Sequence, residues 1–344
     1  MQDYNFEQYL KNALLNSQNH SEDVKSKQKK LSSKYYDDFR ERLLIKYDSK
    51  SLEDVLDCEI SSSSFGDVLK ITKKEKIGFT LKDNHFKQQM NFNLKLLPKI
   101  GPGTERNLKK KGYPTIQSLT NHDRYGERAE KFIKKLEEMS YCEIVDLLDS
   151  NIYSKKCREN ILKSISLTDR ENFRFMDIET KGLSNGVIIL IGVGQISGDK
   201  IIVSQYFLRD YVEEANIIDA YLSHLDENSV HVTFNGKTFD IPYIKNRCIY
   251  NRIDANLDLA HLDLMYFAKN LWGENLDNCK LQTIEEELFG IERKDDVPGR
   301  YIPGYYDAYL ENNNIGPVVP IIEHNAQDII SLAVFLEKMY RDVN

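Results

Sequence analysis

FRFMDIETKGLSNGVIILIGVG, residues 173–194, carries two carboxylates in what otherwise has the composition of a buried strand. Its first residues are apolar, aromatic or β-branched, which predicts a strand over 173–178. Side chains alternate between the two faces of a strand, so Asp177 and Glu179 project to the same side. Such a pair is repelled and desolvated unless it shares a proton or binds a cation. The natural candidate is a divalent metal ion.

The segments that follow predict a sheet covered by helices. Residues 181–186 are turn formers, and the Val, Ile, Leu and Gly residues of 187–196 predict a neighbouring strand. The pattern further along predicts these elements in turn: a strand over 200–208, a helix over 212–225, a short strand over 231–234 and a helix from Asp240. Three strands followed by alternating helices and strands indicate an α/β fold with a mixed sheet.

Two further acidic residues lie on helices of this predicted fold. Asp240 is at a helix N-terminus, where an acid is often only a favourable partner of the helix dipole, and for this residue alone that interpretation is preferred. Near the C-terminus, IIEHNAQDIISLAVFLEKMY predicts an amphipathic helix, in which His324 and Asp328 are four residues apart and share one face. Its apolar positions are predicted to pack on the sheet: Ile329, Leu332, Ala333 and Leu336.

Taken together, D-x-E on a first strand, N-G-x-x-F-D, and H-x-x-x-D on a last helix resemble the DEDD superfamily of DnaQ-like 3′–5′ exonucleases, which have a ribonuclease-H-like fold. The resemblance implies phosphodiester hydrolysis with two divalent cations, Mg²⁺ or Mn²⁺. By position it implies that His324 is the general base and that the metal ligands are four catalytic acids: Asp177, Glu179, Asp240 and Asp328. The spacing from His324 to Asp328 is one residue shorter than is general in the histidine branch of the superfamily, and matches the tyrosine branch.

The segments between the motifs narrow the resemblance to one subfamily. NGKTFDIPYI, LDLMYFAKNLW, CKLQTIEE, DDVPGRYIPGYYDAYL and EHNAQDIISLA are similar to bacterial predicted exonucleases of the YprB type, over roughly residues 173–339. The resemblance implies a ribonuclease-H-like exonuclease domain over 169–344, after a mainly helical N-terminal region over 1–168. It also implies a set of residues that contact the substrate: Thr180, Gly182, Leu183, Asn235 and Phe239.

The N-terminal region has less distinctive patterns. Helices with a loop around residues 17–30 are predicted before residue 57. The four serines of 61–64 predict a break, and residues 67–81 predict a hairpin that turns at 73–76. Helical patterns continue over 127–148 and 154–165.

LPKIGPGTERNLKKKGYPTIQSL, residues 97–119, resembles one copy of the helix-hairpin-helix motif, whose glycine turn binds a nucleic-acid phosphate. A tight turn is predicted over 101–103, with Thr104 as the cap of a helix that begins at Glu105. Exposed N–H groups at such a helix N-terminus favour an anion, which gives three candidate substrate contacts: Gly101, Gly103 and Lys109. Residues 94–135 hold 11 Lys or Arg and 4 Asp or Glu. The alternative is a helical linker with a basic surface.

The net charge of −7 is unevenly distributed. Residues 1–170 hold 32 Lys or Arg against 26 Asp or Glu, and residues 171–344 hold 15 against 28. A basic part joined to an acidic part fits a nuclease that binds phosphates with one and metal ions with the other, and also fits many other proteins.

The composition excludes several classes of protein. No apolar run approaches the roughly 20 residues that span a bilayer, and the N-terminus lacks the pattern of a secretion signal, so a cytoplasmic protein without a membrane segment is expected. The five cysteines are dispersed and form no C-x-x-C pair, which argues against a disulfide framework and a zinc site.

Three further features have a structural and a functional interpretation. Asp263 is interpreted as a helix cap rather than a fifth acid of the site. The string Asp295, Asp296, Pro298 and Gly299 is interpreted as a solvated turn rather than a loop over the site. Packing in the core is preferred over base stacking for four tyrosines: Tyr301, Tyr305, Tyr306 and Tyr309.

The sequence therefore predicts a metal-dependent nuclease that acts on nucleic acid, and the DEDD resemblance implies a 3′–5′ exonuclease on single-stranded 3′ ends of DNA or RNA. Two alternatives stay open. One is a structure-specific endonuclease of the same fold, and the other is a non-catalytic nucleic-acid-binding protein. Acids clustered in a core destabilise a fold unless they have a function, which argues against the second alternative.

Overall fold

The structure is a computed structural model that describes residues 21–82, 85–150, 157–184 and 186–344. Seven strands of these residues form one sheet: β1 (Cys58–Ser63), β2 (Gly66–Lys76), β3 (Phe173–Thr180), β4 (Ile188–Ser197), β5 (Lys200–Phe207), β6 (Val230–Thr233) and β7 (Ala260–Asp263). Their order across the sheet is β1-β2-β5-β4-β3-β6-β7. Strand β6 is parallel to β3 and β7, and the other neighbouring pairs are antiparallel.

Helices precede the sheet and cover both of its faces. Those of the N-terminal half are α1 (Ser21–Lys46), α2 (Phe86–Met90), α3 (Pro102–Lys110), α4 (Gly126–Glu138), α5 (Tyr141–Asp149) and α6 (Cys157–Ser164). Those of the C-terminal half are α7 (Glu214–Leu222), α8 (Asp240–Asn251), α9 (Leu264–Leu271), α10 (Leu281–Ile284), α11 (Ile302–Asn312) and α12 (Val319–Val343). A π-helical turn, Glu285–Phe289, continues α10. The predicted α/β fold, a ribonuclease-H-like mixed sheet flanked by helices, is confirmed.

The two faces of the sheet carry separate hydrophobic clusters, and β3 contributes to both. Phe173 and Phe175 belong to the cluster that includes the α12 residues Ile329 and Leu336. Met176 follows Phe175 and precedes Asp177 in β3, and it belongs to the hydrophobic cluster on the opposite face. Because side chains alternate along a strand, Asp177 and Glu179 project toward the face that α12 covers.

The hairpin predicted over residues 67–81 is wrong, and so is the break at the serines. Ser61 to Ser63 lie in β1, the chain turns after Ser64, and the lysines of 73–76 lie in β2. Strand β2 pairs with β5 from Leu69 to Lys76, so this polar run is held extended by backbone hydrogen bonds although its side chains have the composition of a turn. The sheet therefore takes two strands from the N-terminal side of residue 168.

The N-terminal helices also differ in their bounds from the prediction. Residues 21–46 form one helix, where the sequence predicted a loop around 17–30; the apolar residues of the first 20 positions lie outside the described residues. Residues 127–148 form two helices, because Ser140 caps α5 through a reciprocal capping box with Glu143. None of the helices in the described ranges has the length and apolar character needed to cross a membrane.

The turn predicted at residues 101–103 lies earlier in the chain. The amide of Ile100 donates to the carbonyl of Leu97, and Lys99 within this turn has a left-handed φ of 68°. Helix α3 begins at Pro102 with Gly101 as its N-cap, so Thr104 lies inside the first helical turn and is not the cap. Proline at the first helical position has its φ already fixed near the helical value, which explains the earlier start.

Candidate active site

Strand β3 ends in the two carboxylates that the alternation predicted to share a face. Glu179 is buried and Asp177 is half-buried. The pairing of β3 with β4 shifts register between Glu179 and Thr180, at the end of the strand. The pair therefore stands at an irregular strand end, beneath α12.

Asp240 and Asp328 reach the same place from two helices. Asp240 is the first residue of α8, and its Oδ1 accepts a hydrogen bond of 3.2 Å from the backbone amide of Ile178 in β3. Asp328 lies one turn after His324 in α12, and its charge and that of Asp240 both act on Asp177. The structure thus brings together four residues that the sequence singled out, which we call the acid cluster: Asp177, Glu179, Asp240 and Asp328.

Burial and the charges of neighbouring acids raise the pKa values of three members of the acid cluster. Burial, followed by the charges of the other three acids, raises the pKa of Asp177 well above its ordinary range. Burial raises the pKa of Glu179 to about 8, against the opposing charge of His324. Burial raises the pKa of Asp240 to about 7, although backbone N–H groups oppose the shift. A cation in this position would relieve the repulsion that these shifts express.

Three of these carboxylates are fixed through one oxygen. Asp177 Oδ2 accepts from Asn325 Nδ2 at 2.8 Å, Asp240 Oδ1 accepts from the Ile178 amide, and Asp328 Oδ1 accepts from the guanidinium of Arg293. Carboxylate oxygens are the ligands that Mg²⁺ and Mn²⁺ prefer, so the donor chemistry fits a hard divalent cation. Within the ranges that the structure describes, no three His, Cys, Asp or Glu side chains are grouped as a metal-binding set, so the carboxylates would have to draw together around an ion.

Asn325 is a residue of the site that the sequence analysis did not identify. Besides Asp177 Oδ2, its amide donates to the Asp177 carbonyl at 3.1 Å, and its Oδ1 accepts from Gln205 Nε2 at 2.8 Å. The missing side chain of Gly192 makes room for it, because a Cβ there would stand 2.2 Å from Asn325 Oδ1. Asn325 is fully buried. The signal in the sequence was a polar residue directly after His324 on an otherwise apolar helix face.

His324 lies between the acid cluster and a second acid. Its Nε2 is 3.6 Å from Asp328 Oδ2 and 3.9 Å from Glu179 Oε1, while its Nδ1 bonds Asp296 Oδ1 at 2.5 Å. Burial lowers the pKa of His324, but Asp328, Asp296 and Glu179 outweigh it and raise the pKa to about 9. The interpretation of residues 295–299 as a solvated turn is therefore wrong for Asp296, whose side chain fixes the ring of His324.

Arg293 is the other residue that the sequence analysis missed. Its side chain is 9% exposed, and its guanidinium donates to Asp328 and, through Nε and Nη2, to both oxygens of Glu285 at 2.6 and 2.7 Å. Glu285 is fully buried in the π-helical turn and also accepts from Ser331. Local sequence offered little signal, since Arg293 sits among charged residues that have the composition of an exposed loop.

Comparison with known proteins agrees with the fold. Residues 174–340 match the family model RNase_H_2, described as the RNase_H superfamily. This part of the chain is ribonuclease-H-like. It contains the whole acid cluster as well as His324, Asp296 and Arg293, and it leaves β1, β2 and the N-terminal helices outside the match.

A curated protein is similar over about half of the chain. "Uncharacterized protein YprB" of Bacillus subtilis (strain 168) is 33% identical over 169 residues, which are 48% of this chain and 41% of that protein. The chain thus matches less than half the length of this relative. The similarity supports the ribonuclease-H-like fold of this part of the chain.

The predicted substrate contacts of the ribonuclease-H-like part lie along the turns next to the acids. Thr180 ends β3 and its hydroxyl donates to the carbonyl of Gly182 at 2.8 Å, while Leu183 is 89% exposed. Asn235 has a φ of 71°, and Phe239 precedes Asp240 directly. These five residues therefore flank β3 and α8 where the acid cluster begins, with Leu183 available to a ligand.

The basic hairpin, residues 97–111, presents its charges differently from the prediction. Lys109 is bound to the carbonyl of Phe92 at 2.9 Å and to Glu105, so its ammonium is partly used within the fold. Lys110 and Lys111 are exposed. Gly101 and Gly103 have no heavy atom within 4 Å of an added Cβ, so neither glycine is required by packing.

Asp263 and the tyrosines follow their structural interpretations. Asp263 caps α9 and accepts from the backbone amides of Asn235 and Lys237, so both of its oxygens are used. Tyr305 and Tyr306 are buried, and the hydroxyl of Tyr306 donates to the Leu208 carbonyl. Base stacking by these two tyrosines is excluded by their burial.

A cavity of about 340 Å³ opens beside His324 and Arg293. Its far wall comes from Leu43 and Tyr47 at the end of α1, outside the ribonuclease-H-like match. Lysine and acidic side chains both line it, among them Lys294. The N-terminal helix thus forms part of the surroundings of the candidate site.

Proposed function

We propose that this protein is a metal-dependent nuclease that hydrolyses phosphodiester bonds, and specifically a 3′–5′ exonuclease that uses two divalent cations, Mg²⁺ or Mn²⁺. The observation that carries the proposal is the convergence of four acids from β3, α8 and α12 beside a histidine with its own carboxylate partner. The superfamily match over residues 174–340 supports nucleic acid as the substrate class.

Each residue of the site has a role in this proposal. Asp177, Glu179, Asp240 and Asp328 would hold the cations, whose chemistry is to neutralise phosphate charge and to favour ionisation of the attacking water. His324 would accept the proton of that water at Nε2 once bound cations offset the acidic charges that raise its pKa, because its Nδ1 is engaged with Asp296. Asp296 fixes the ring in one orientation, which is the role of the third member of a catalytic triad.

The remaining contacts would hold the nucleic acid. Leu183, with Thr180 and Gly182, lies beside β3 as a contact for the terminal nucleotide, and Asn235 and Phe239 lie on the α8 side. The basic hairpin supplies phosphate contacts that do not depend on sequence, through the free amides at the start of α3 and the exposed Lys110 and Lys111. Polarity of degradation and the preference for a single strand rest on the DEDD resemblance.

The test is a degradation assay on single-stranded DNA and RNA labelled at the 3′ or the 5′ end, with Mn²⁺ or with EDTA. We expect mononucleotides to be released early from 3′-labelled strands, progressive shortening of 5′-labelled strands, and no reaction in EDTA. Closed circles of the same sequence should resist. Cleavage of the circles would assign the endonuclease alternative, and binding without hydrolysis in Mn²⁺ would assign the non-catalytic one.

A further inference from the structure

One buried ion pair next to the acid cluster has no role in the chemistry proposed above. Glu285 is fully buried, and both of its oxygens accept from Arg293, at 2.6 Å from Nε and 2.7 Å from Nη2. The hydroxyl of Ser331 in α12 donates to the same carboxylate. Glu285 stands in the π-helical turn, a rare conformation that is frequent at functional sites.

The other side of Arg293 meets the acid cluster. Nη2 donates to Asp328 Oδ1, and Nη1 lies 3.2 Å from His324 Nδ1 and 3.9 Å from Asp296 Oδ1. Asp328 Oδ2 is left toward His324 Nε2, at 3.6 Å. A guanidinium fixed along one edge by Glu285 can reach Asp328 in only one orientation, so Glu285 determines where the Asp328 carboxylate points.

Stability alone does not explain this pair, because replacing a buried ion pair by neutral side chains of similar size is often neutral or stabilising. A second buried pair, between two other helices, shows what a structural pair looks like. Arg247 donates to Glu214 through Nε at 2.7 Å and through Nη2, and Glu214 also accepts from the Ile188 amide and from Asn251. That pair joins α7, α8 and β4 and contacts no member of the acid cluster.

We propose that Glu285 and Arg293 form a positioning pair, which holds Asp328 so that one oxygen stays available to a divalent cation. This inference rests on the proposed function, since it gives Asp328 the role of a metal ligand. Residues that orient metal ligands typically change metal affinity or activity by about 10-fold to 100-fold when they are replaced. The pair acts through Asp328 and does not itself touch the reacting atoms.

The experiment compares two matched double variants of the full chain, E285Q/R293M and E214Q/R247M. Both remove one buried Arg together with the charge of its Glu, and both keep a carbonyl oxygen as acceptor for the neighbouring donor. Mn²⁺ affinity is measured by titration calorimetry, the melting temperature in EDTA by circular dichroism, and kcat and KM on a single-stranded oligonucleotide. We expect E285Q/R293M to bind Mn²⁺ about 10-fold to 100-fold more weakly, with reduced kcat and unchanged KM. We expect E214Q/R247M to bind Mn²⁺ as the wild type does.

A third variant covers the case in which E285Q/R293M fails to fold. R293K keeps the positive charge but lacks the planar fork, so it should also bind Mn²⁺ at least about 10-fold more weakly. Wild-type affinity in R293K, or equal affinity in the two double variants, overturns the positioning role while the proposed function stands. A wild-type protein that neither binds Mn²⁺ nor degrades any strand overturns the proposed function, and the role of the pair with it.

Discussion

The acid cluster and the basic hairpin are both charged, but their charges are held in opposite ways. The acids are buried or half-buried, their charges help to raise the pKa values of Asp177, Glu179 and Asp240, and they come from three separate segments of the chain. The hairpin lysines come from one short segment; Lys109 is paired within the fold, and Lys110 and Lys111 are exposed. Burying like charges costs free energy, whereas exposing lysines costs almost none. The cluster therefore indicates chemistry more strongly than the hairpin indicates binding.

The largest expected effect comes from neutralising one acid of the cluster. D177N and D328N should each lower turnover by about 10³-fold or more, because each removes a charge on which cation binding depends. Asp258, an exposed acid paired with Lys245, supplies the control variant D258N, which should keep wild-type turnover. Steady-state kinetics on a labelled oligonucleotide in Mn²⁺ measures the effect. Near wild-type turnover in D177N or D328N would contradict the assignment of the cluster.

A smaller loss is expected from His324. H324A should slow turnover by about 10² to 10⁴, leave Mn²⁺ affinity nearly unchanged and alter the acid limb of the pH-rate profile. D296N should share the altered profile with a smaller loss, because it removes the partner of Nδ1 and leaves Nε2 in place. If His324 only packs α12, H324A would lower the melting temperature and keep the wild-type profile, so the two measurements on one variant separate the roles.

The parts of this site that follow a local rule could be predicted from the sequence. Asp177 and Glu179 share a face because a strand alternates, and His324 and Asp328 share a face because a helix turns in 3.6 residues. Asn325, Arg293 and Asp296 could not be predicted in the same way, because each is defined by a partner on another element. For Asp296, the local composition even predicted a solvated turn and not a residue of the site.

The strands of the sheet divide in the same way, into those that the local sequence predicts and those that depend on their partners. The strands from β3 to β6 were predicted from their apolar and β-branched residues, and the structure contains all four. Strands β1 and β2 were misinterpreted because Ser61 to Ser63 and Lys73 to Lys76 are polar, and only the pairing of β1 with β2 and of β2 with β5 makes them strands. Strand β1 is the edge of the sheet, and residues 73–76 of β2 extend beyond its pairing with β1, so their polarity is typical of exposed strand edges, where charged side chains prevent aggregation.

The pH dependence of the free energy of unfolding tests the acid cluster's part of this comparison. In EDTA, folded Glu179 and Asp240 hold protons up to pH values of about 8 and about 7, because burial raises their pKa, whereas the unfolded chain releases them near pH 4. Stability linked to these protons is present below pH 4 and is lost as the pH rises through 7 and 8. We expect the free energy of unfolding to fall by at least about 1 kcal/mol between pH 6 and 8.5.

Urea denaturation at several pH values in EDTA measures this fall. D177N should unfold at higher urea concentration than the wild type at pH 8 and show a shallower fall, because one repelling charge is gone. The control D258N should follow the wild-type curve. A wild-type curve that is flat between pH 6 and 8.5 would mean that the acids do not repel one another in the metal-free protein.

The smallest expected effect comes from the basic hairpin, and it decides whether this region belongs to the functional surface at all. K110E/K111E removes two exposed lysines, so the plot of log affinity against log salt for single-stranded DNA should lose about one unit of slope per lost phosphate contact.

G101A/G103A tests the backbone separately: neither added Cβ meets a neighbour within 4 Å, so the fold is kept, and binding weakens only if a phosphate approaches the start of α3 closely. Neither variant should change turnover at saturating substrate, because both lie outside the acid cluster. Fluorescence anisotropy in EDTA at several salt concentrations measures affinity without hydrolysis, with K245E as a control at a partly exposed lysine of α8 that pairs with Asp258. An unchanged slope in K110E/K111E, together with unchanged affinity in G101A/G103A, would leave the hairpin as a structural linker. The acid cluster would then be a functional site, and the basic hairpin a charged surface without a role in binding.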